Sequence, residues 1–324
     1  MQTRIKSGKN KMNTIKQKLL YLTLTIICSI QLSACAAESD GLVLEIYTGQ
    51  FSGIGENSFT LLGESEAIQI DAPWLLGDGE ILAERLKNNG RELTHILLTH
   101  GHPDHYMGLA PIVEAFPNVQ VLARQSVIDE ISTQFQSKWV HWEPLYGSQL
   151  PITPVIPELL VGDSIFLEEY EIQFMDVPPA ETMNATVFYI PSLEALITGD
   201  LIFSQMHPYF ADLNNPASWI DALEQIQSFT PISLVYPGHG PSGGVELLSE
   251  ALSYMQVYQE VAPPGVPLRE FAPIMAERFP DYAPTFLWWT RGPGFGIVGP
   301  GPLGVPDAIT ETLPPYLLGG EPPP

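Results

Sequence analysis

The spacing of apolar positions changes along the chain, and each change predicts an element. Residues 42–47, 58–62 and 67–70 are short runs rich in aliphatic and aromatic residues, separated by Gly-rich turns, and predict strands. Residues 80–87 predict a helix ending near Gly90. Residues 94–98 form a compact apolar strand that runs into a His-rich loop. Ile112, Val113 and Phe116 share one helix face, with Pro111 suited to the first turn and Pro117 just past the end. A strand at 119–122 and a helix at 125–135 follow, then an irregular, Pro-containing stretch over 139–163 holding Trp139, His141, Trp142 and Tyr146. Residues 165–177 and 185–197 predict two hairpins, the second turning at Pro191-Ser192. Asn215-Pro216 supplies an N-cap and N1 pair for a helix with Trp219, Leu223, Ile226 and Phe229 on one stripe. A strand at 232–236 and an amphipathic helix at 246–258 complete the alternation. Strands alternating with helices make this an α/β chain. A last helix is predicted over 268–279, with Phe271, Ile274 and Met275 inward.

The two ends read differently. Six basic residues (Arg4, Lys6, Lys9, Lys11, Lys16, Lys18) and no acid precede a mainly apolar run over 19–30, followed by Leu32-Ser33-Ala34-Cys35. This is the layout of a secretory signal. The run is shorter than the roughly 20 apolar residues that span a bilayer. Leu-Ser-Ala-Cys resembles the lipobox of bacterial lipoproteins, which implies cleavage before Cys35 and lipidation of its sulfur. Ala36, rather than Asp, after the Cys implies the outer membrane, facing the periplasm. The expected organisation is a lipoprotein signal over 1–34, a polar tether over 35–41, a main α/β domain over 42–261 and a Pro/Gly-rich C-terminal extension over 262–324. The last 63 residues hold 15 of the 31 prolines, and 292–324 read as a surface tail or as a lid over the site.

Charge and cysteines narrow the partners. The net charge is −23, with 14 basic against 37 acidic residues. All the acids lie beyond Cys35. Phosphate binding needs clustered Lys and Arg, so nucleic acid is excluded as a partner; the expected partners are a small-molecule substrate and, through Cys35, a lipid bilayer. Two cysteines, Cys28 and Cys35, exclude a disulfide framework and a Cys-rich zinc site.

The chemistry lies in four pieces. Thr99-His100-Gly101-His102-Pro103-Asp104-His105 follows an apolar strand and concentrates three of the seven histidines within six positions. Neutral imidazole and carboxylate are what Zn²⁺, Fe²⁺ or Mn²⁺ take. The run resembles the His-x-His-x-Asp-His signature of the metallo-β-lactamase superfamily. Thr198-Gly199-Asp200 and Pro237-Gly238-His239-Gly240, each expected after a strand, fit the same superfamily in order and placement. The resemblance covers residues 42–258 and implies an αββα sandwich with two divalent metals at one edge between the sheets. Zn is the expected ion, with Mn or Fe as alternatives. It further implies that His100 and His102 bind the first metal, that Asp104, His105 and His239 bind the second, and that Asp200 bridges both.

One position departs from the pattern. Where the family has Pro-Gly-His-Thr-x-Gly-Ser, this chain has Pro179-Ala180-Glu181-Thr182-Met183-Asn184-Ala185, which sets Glu181 at the place of the third His of the first site. Three readings stay open. Glu181 replaces the imidazole as ligand, it holds a water or a neighbouring His, or the first site is degraded and one metal binds well. His207, in His207-Pro208-Tyr209 downstream of Asp200, is read either as a catalytic residue at the pocket rim or as a loop residue facing solvent. Trp74, Trp139 and Trp142 either line an apolar pocket or serve packing alone.

The resemblance implies hydrolysis of an ester, lactone, amide or phosphoester by a metal-bound hydroxide that Asp104 helps to orient. A glyoxalase-type thioesterase fits the extracytoplasmic address poorly, and acyl-lactonase-like members keep the His that Glu181 replaces. The alternatives are a mono-iron oxygenase on the same fold and a non-catalytic surface lipoprotein.

Overall fold

Alternation along the strands decides which of two cores receives each side chain. In β2 (Leu42–Thr48), Leu42, Leu44 and Ile46 point to one core while Val43 and Tyr47 point to the other. The computed structural model describes residues 37–39, 41–50, 54–210, 215–262, 268–283, 290–291 and 297–298. Cys28, Cys35 and most of the C-terminal tail lie outside them.

The first sheet runs β1 (Ala37–Ser39), β2, β3 (Asn57–Leu62), β4 (Glu66–Ile70), β5 (Glu92–Leu97), β6 (Gln120–Ala123) and β7 (Glu158–Leu159), in that order. Pairing is antiparallel as far as β4 and parallel from β4 to β7. The second sheet contains β8 (Ser164–Leu167), β9 (Tyr170–Val177), β10 (Ala185–Ile190), β11 (Ala195–Phe203), β12 (Leu234–His239) and β13 (Gly243–Gly244), ordered β13-β12-β11-β10-β9-β8. Its β11 and β12 are parallel. The helices are α1 (Leu76–Asn88), α2 (Leu109–Ala115), α3 (Gln125–Tyr146), α4 (Pro216–Gln225), α5 (Glu246–Val261) and α6 (Leu268–Arg278). A short ribbon, β14 (Thr290–Arg291) with β15 (Ile297–Val298), follows.

Leu44, Phe59, Leu61, Ile70, Phe188, Ile197 and Tyr236 meet between the sheets. The opposite strand faces, with Leu93, Val187 and Leu196, join Leu82, Ile131, Trp219 and Met255 of the helices in the outer layers. Helices therefore cover both sheets, which is the αββα arrangement. Fully burying one such aliphatic side chain contributes about 1.5–3 kcal/mol.

Four local expectations change. Within the stretch expected as a tether, Ala37–Ser39 form β1 and pair with β2. The stretch expected to be irregular from residue 139 begins as helix, because α3 continues to Tyr146. Pro144 removes one backbone hydrogen bond near the end of the helix, and buried Val127, Ile131, Phe135, Trp142 and Tyr146, which keep the apolar stripe going, outweigh that loss. The predicted strand ends at 197 and 236 fall short: β11 and β12 run on through Asp200 and His239, with register shifts at Gly199 and Phe203. In α6, Phe271 and Met275 are buried as expected, but Ile274 is 40% exposed. The segment after α6 joins the main body, since the Ala283 N–H donates to Gln205 O and the His207 N–H donates to Ala283 O.

Candidate metal centre

The parallel strands deliver their C-terminal ends to one edge of the sandwich. In the first sheet this edge carries Asp71, just past β4, and the His100–His105 segment, just past β5. In the second it carries Asp200 and His239 on neighbouring strands, and Glu181 in the loop between β9 and β10. The sheets touch here through backbone, with the Thr186 N–H donating to Thr99 O at 2.8 Å. Glycine is required twice at this edge. A Cβ on Gly238 would strike Asp200 Oδ1, and Gly199, at φ +51°, would press a Cβ to 2.8 Å from Thr99 Oγ1. That is the physical content of the Thr-Gly-Asp and Pro-Gly-His sequences.

Two sets of donor atoms result, each gathered within 4.8 Å: His100, His102, Glu181 and Asp200 in one, and Asp104, His105, Asp200 and His239 in the other. Asp200 is common to both. Its Oδ2 lies 3.9 Å from His100 Nε2 and 3.4 Å from His239 Nε2, and its Oδ1 lies 3.2 Å from His105 Nε2. Asp104 Oδ2 is 3.2 Å from His239 Nε2 and 3.7 Å from His105 Nε2. Glu181 approaches His102 Nδ1 at 2.9 Å and His100 Nε2 at 3.9 Å. Each set thus offers two imidazoles and two carboxylates.

The surroundings aim these rings. Asp71 Oδ2 accepts from His105 Nδ1–H at 3.0 Å, and Asp71 also accepts from Thr99 N–H at 2.8 Å and Thr99 O–H at 2.7 Å. With its proton committed to Asp71, Thr99 Oγ1 can accept from His100 Nδ1–H at 2.9 Å. His239 Nδ1–H donates to Ile54 O at 3.2 Å. Hydrogen bonding at Nδ1 leaves Nε2 of all three rings to face the donor sets. Among the described residues, His100 Nε2, His105 Nε2 and Asp200 Oδ1 are buried with no well-aligned hydrogen-bond partner. Such orphaned atoms, converging on one space with carboxylates, suit divalent cations.

Electrostatics agree. Burial opposes charge on His239, but Asp200 and Asp104 raise its pKa to about 10. His105, also buried, is raised well above the ordinary range by the same carboxylates. Burial by itself would raise Asp200, yet His239 and His105 hold it well below the usual carboxylate range. Burial, aided by His105, lowers His100 well below its ordinary value. The centre therefore attracts positive charge, and a cation would compete with protons for the same nitrogens.

Of the residues singled out in the sequence, His100, His102, Asp104, His105, Glu181, Asp200 and His239 come together. His207 does not. It is buried in an aromatic cluster, with Nδ1 2.7 Å from the Tyr254 hydroxyl and its ring against Tyr282. Its neighbour Tyr209 borders the centre instead, edge-on to His102 with ring centroids 6.0 Å apart. Trp74 and Trp142 pack on one another, centroids 4.6 Å apart, within the outer core. Asp71 escaped the sequence reading, because a single Asp after a strand carries no spacing signal.

The chain is similar to proteins of known sequence and structure. It is 28% identical over 200 residues to a hydroxyacylglutathione hydrolase of Erythrobacter litoralis, covering 61% of this chain and 67% of that one. It is 27% identical over 197 residues to a probable metallo-hydrolase of Methanocaldococcus jannaschii, covering 59% and 90%. A metallo-beta-lactamase structure from Pontibacter korlensis superposes with a TM-score of 0.53 at 22% identity, covering 68% of this chain and 98% of that one, a likeness of fold. The family model for the metallo-beta-lactamase superfamily matches residues 60–241, which contain every donor of both sets. The chain is a metallo-hydrolase and belongs to the metallo-beta-lactamase superfamily.

Proposed function

We propose that the protein is a two-metal hydrolase of an ester, lactone, amide or phosphoester, with Glu181 ligating in place of an imidazole. The observation that carries this reading is the sharing of Asp200 by two complete donor sets. A mono-iron oxygenase would need one set only. When bound, two divalent cations supply Lewis acidity that activates water at neutral pH and polarises the scissile acyl or phosphoryl group. Asp104, which sits beside the shared Asp200, would orient that water and take up its proton. Tyr209, against His102, walls the first set on the side of the segment that follows β11. Two carboxylates in each set make the donors harder than the three-imidazole pattern, which favours Mn²⁺ or Fe²⁺ relative to the usual Zn²⁺ preference.

The test is metal analysis of protein purified without chelator, combined with turnover on a panel of ester, lactone, β-lactam and phosphodiester substrates. Two equivalents of metal and chelator-sensitive hydrolysis of one class are expected. A single iron with oxygen consumption would overturn the reading. Lipid anchoring through Cys35 in the cell envelope completes the proposal; Cys35→Ser is expected to move the protein from the membrane to the soluble fraction, and unchanged membrane association would refute it.

A further inference from the structure

Glu130 of α3 is 6% exposed and belongs to neither donor set. A buried carboxylate is costly unless donors meet it. Those that meet Glu130 come from its own helix and from the Glu181 loop. Its Oε1 lies 3.5 Å from Lys138 Nζ, two turns along α3, and accepts from Thr182 Oγ1 at 3.4 Å. Its Oε2 accepts from Asn184 Nδ2 at 3.5 Å. Lys138 Nζ in turn donates to Gly101 O at 3.0 Å. A Cβ at position 101 would stand 3.0 Å from both Cδ and Cγ of Glu130, so the two fit closely because residue 101 is Gly.

These contacts fall on two backbone segments. Gly101 sits between His100 and His102, and Thr182 directly follows Glu181. Together the segments carry three of the four donors of the first set. Apolar burial holds the Glu181 loop only in part, for Ala180 is buried in the core while Met183 is 58% exposed. Backbone pairing at its end, from the Thr186 N–H to Thr99 O, and the polar links to α3 hold the rest. None of these links reaches His105, Asp200 or His239.

We propose that Glu130 and Lys138 are positioning residues that fix the His100-Gly101-His102 turn relative to the Glu181 loop, and thereby set the metal affinity of the first donor set independently of the second. The proposal rests on the two-metal reading with Glu181 as a ligand. Groups that orient ligands in this way are worth about 10- to 100-fold in metal affinity.

The experiment measures zinc affinity in two parent backgrounds. His239→Ala removes a donor from the second set alone, and His102→Ala removes one from the first set alone. Glu130→Ala is expected to weaken zinc binding by about tenfold in the His239→Ala parent and by less than about twofold in the His102→Ala parent. Lys138→Met should follow the same pattern, and Glu130→Gln, which keeps an acceptor for Thr182, should recover part of the loss. Circular dichroism of the apo-proteins establishes folding; if Glu130→Ala does not fold, Glu130→Gln carries the comparison. Equal losses in both parents, or no loss in either, would overturn the proposal. Glu181→Ala in the His239→Ala parent tests the underlying reading separately: zinc binding as tight as the parent's would refute Glu181 as a ligand, whatever Glu130 does.

Discussion

Asp71 Oδ2 lies 3.0 Å from Nδ1 of His105, and this contact decides which nitrogen of the ring faces the metal centre. The same carboxylate binds the backbone and hydroxyl of Thr99. One buried side chain thus aims His105 directly and His100 through Thr99. Asp71→Ala should lower metal affinity by about 10- to 100-fold. It should also cost ~1–3 kcal/mol of stability for each backbone or side-chain donor left buried without an acceptor. Asp71 has φ +57°, a conformation that Asn tolerates, so Asp71→Asn should lose less. Zinc titration together with urea unfolding of the apo-protein checks both effects; unchanged affinity in the Ala variant would contradict the role.

Asp200 serves both donor sets and His102 only one. Asp200→Ala should therefore reduce both bound metals, whereas His102→Ala should spare the second. Both should lose nearly all hydrolysis while far-ultraviolet circular dichroism stays native, because the two cores are built from other residues. Metal content per protein separates the variants, and full turnover by either after chelation would refute metal-dependent hydrolysis.

Glu181→His converts the first set from two imidazoles and two carboxylates to three imidazoles and Asp200. Three carboxylates in the centre become two, which strengthens the Lewis acidity of the first metal and lowers the pKa of activated water. The variant should bind its first zinc more tightly than wild type. The wild-type pH–rate profile should rise at higher pH than the variant's. Competition between Zn²⁺ and Mn²⁺ in equilibrium dialysis is the direct measurement, and an unchanged preference would count against Glu181 as a ligand.

Acid should lower stability through two groups away from the metal centre. Burial lowers the pKa of His207 from 6.5 to about 4. The unfolded chain then takes up this proton first, so stability is full above pH 6.5 and is lost as pH falls from 6.5 to 4, by at most ~3 kcal/mol. His207→Gln should flatten that limb. Glu168 has its pKa lowered from 4.5 to about 2 by the Ser65 and Glu64 backbone N–H groups. Its contribution is present above pH 4.5 and lost as pH falls toward 2. It is partly exposed, so Glu168→Gln should cost only about 1 kcal/mol at neutral pH. Chemical denaturation of apo-protein across pH 3–8 measures both; an identical pH slope in wild type and His207→Gln would exclude the first.

Most elements were legible because local chemistry names them. Short apolar runs between Gly-rich turns gave strands, Asn215 caps α4 as expected by accepting from the Ser218 N–H, and the His-x-His-x-Asp-His spacing announced metal chemistry. The misreadings share a cause. The predicted helix stopped at residue 135, but α3 runs to Tyr146, with Trp142 packed against Trp74. His207 is polar and follows Asp200, and only the fold shows Tyr254 and Tyr282 enclosing it. Ile274 matched the inward stripe of α6 yet lies outward, since helical spacing limits a face without choosing it.

The sequence by itself determined the donor types, the order of the elements and the departure at Glu181, because residue identity and short spacings are properties of the chain. The tertiary structure decided what those donors become. His100 and Glu181 lie 81 positions apart, and their contact exists because two sheets present their strand ends at one edge. The same convergence made Asp200 common to two sets, gave Asp71 and Glu130 their tasks, and set His207 apart. Shared ligation, ring orientation and burial depend on groups distant in the chain, and only folding fixes their distances.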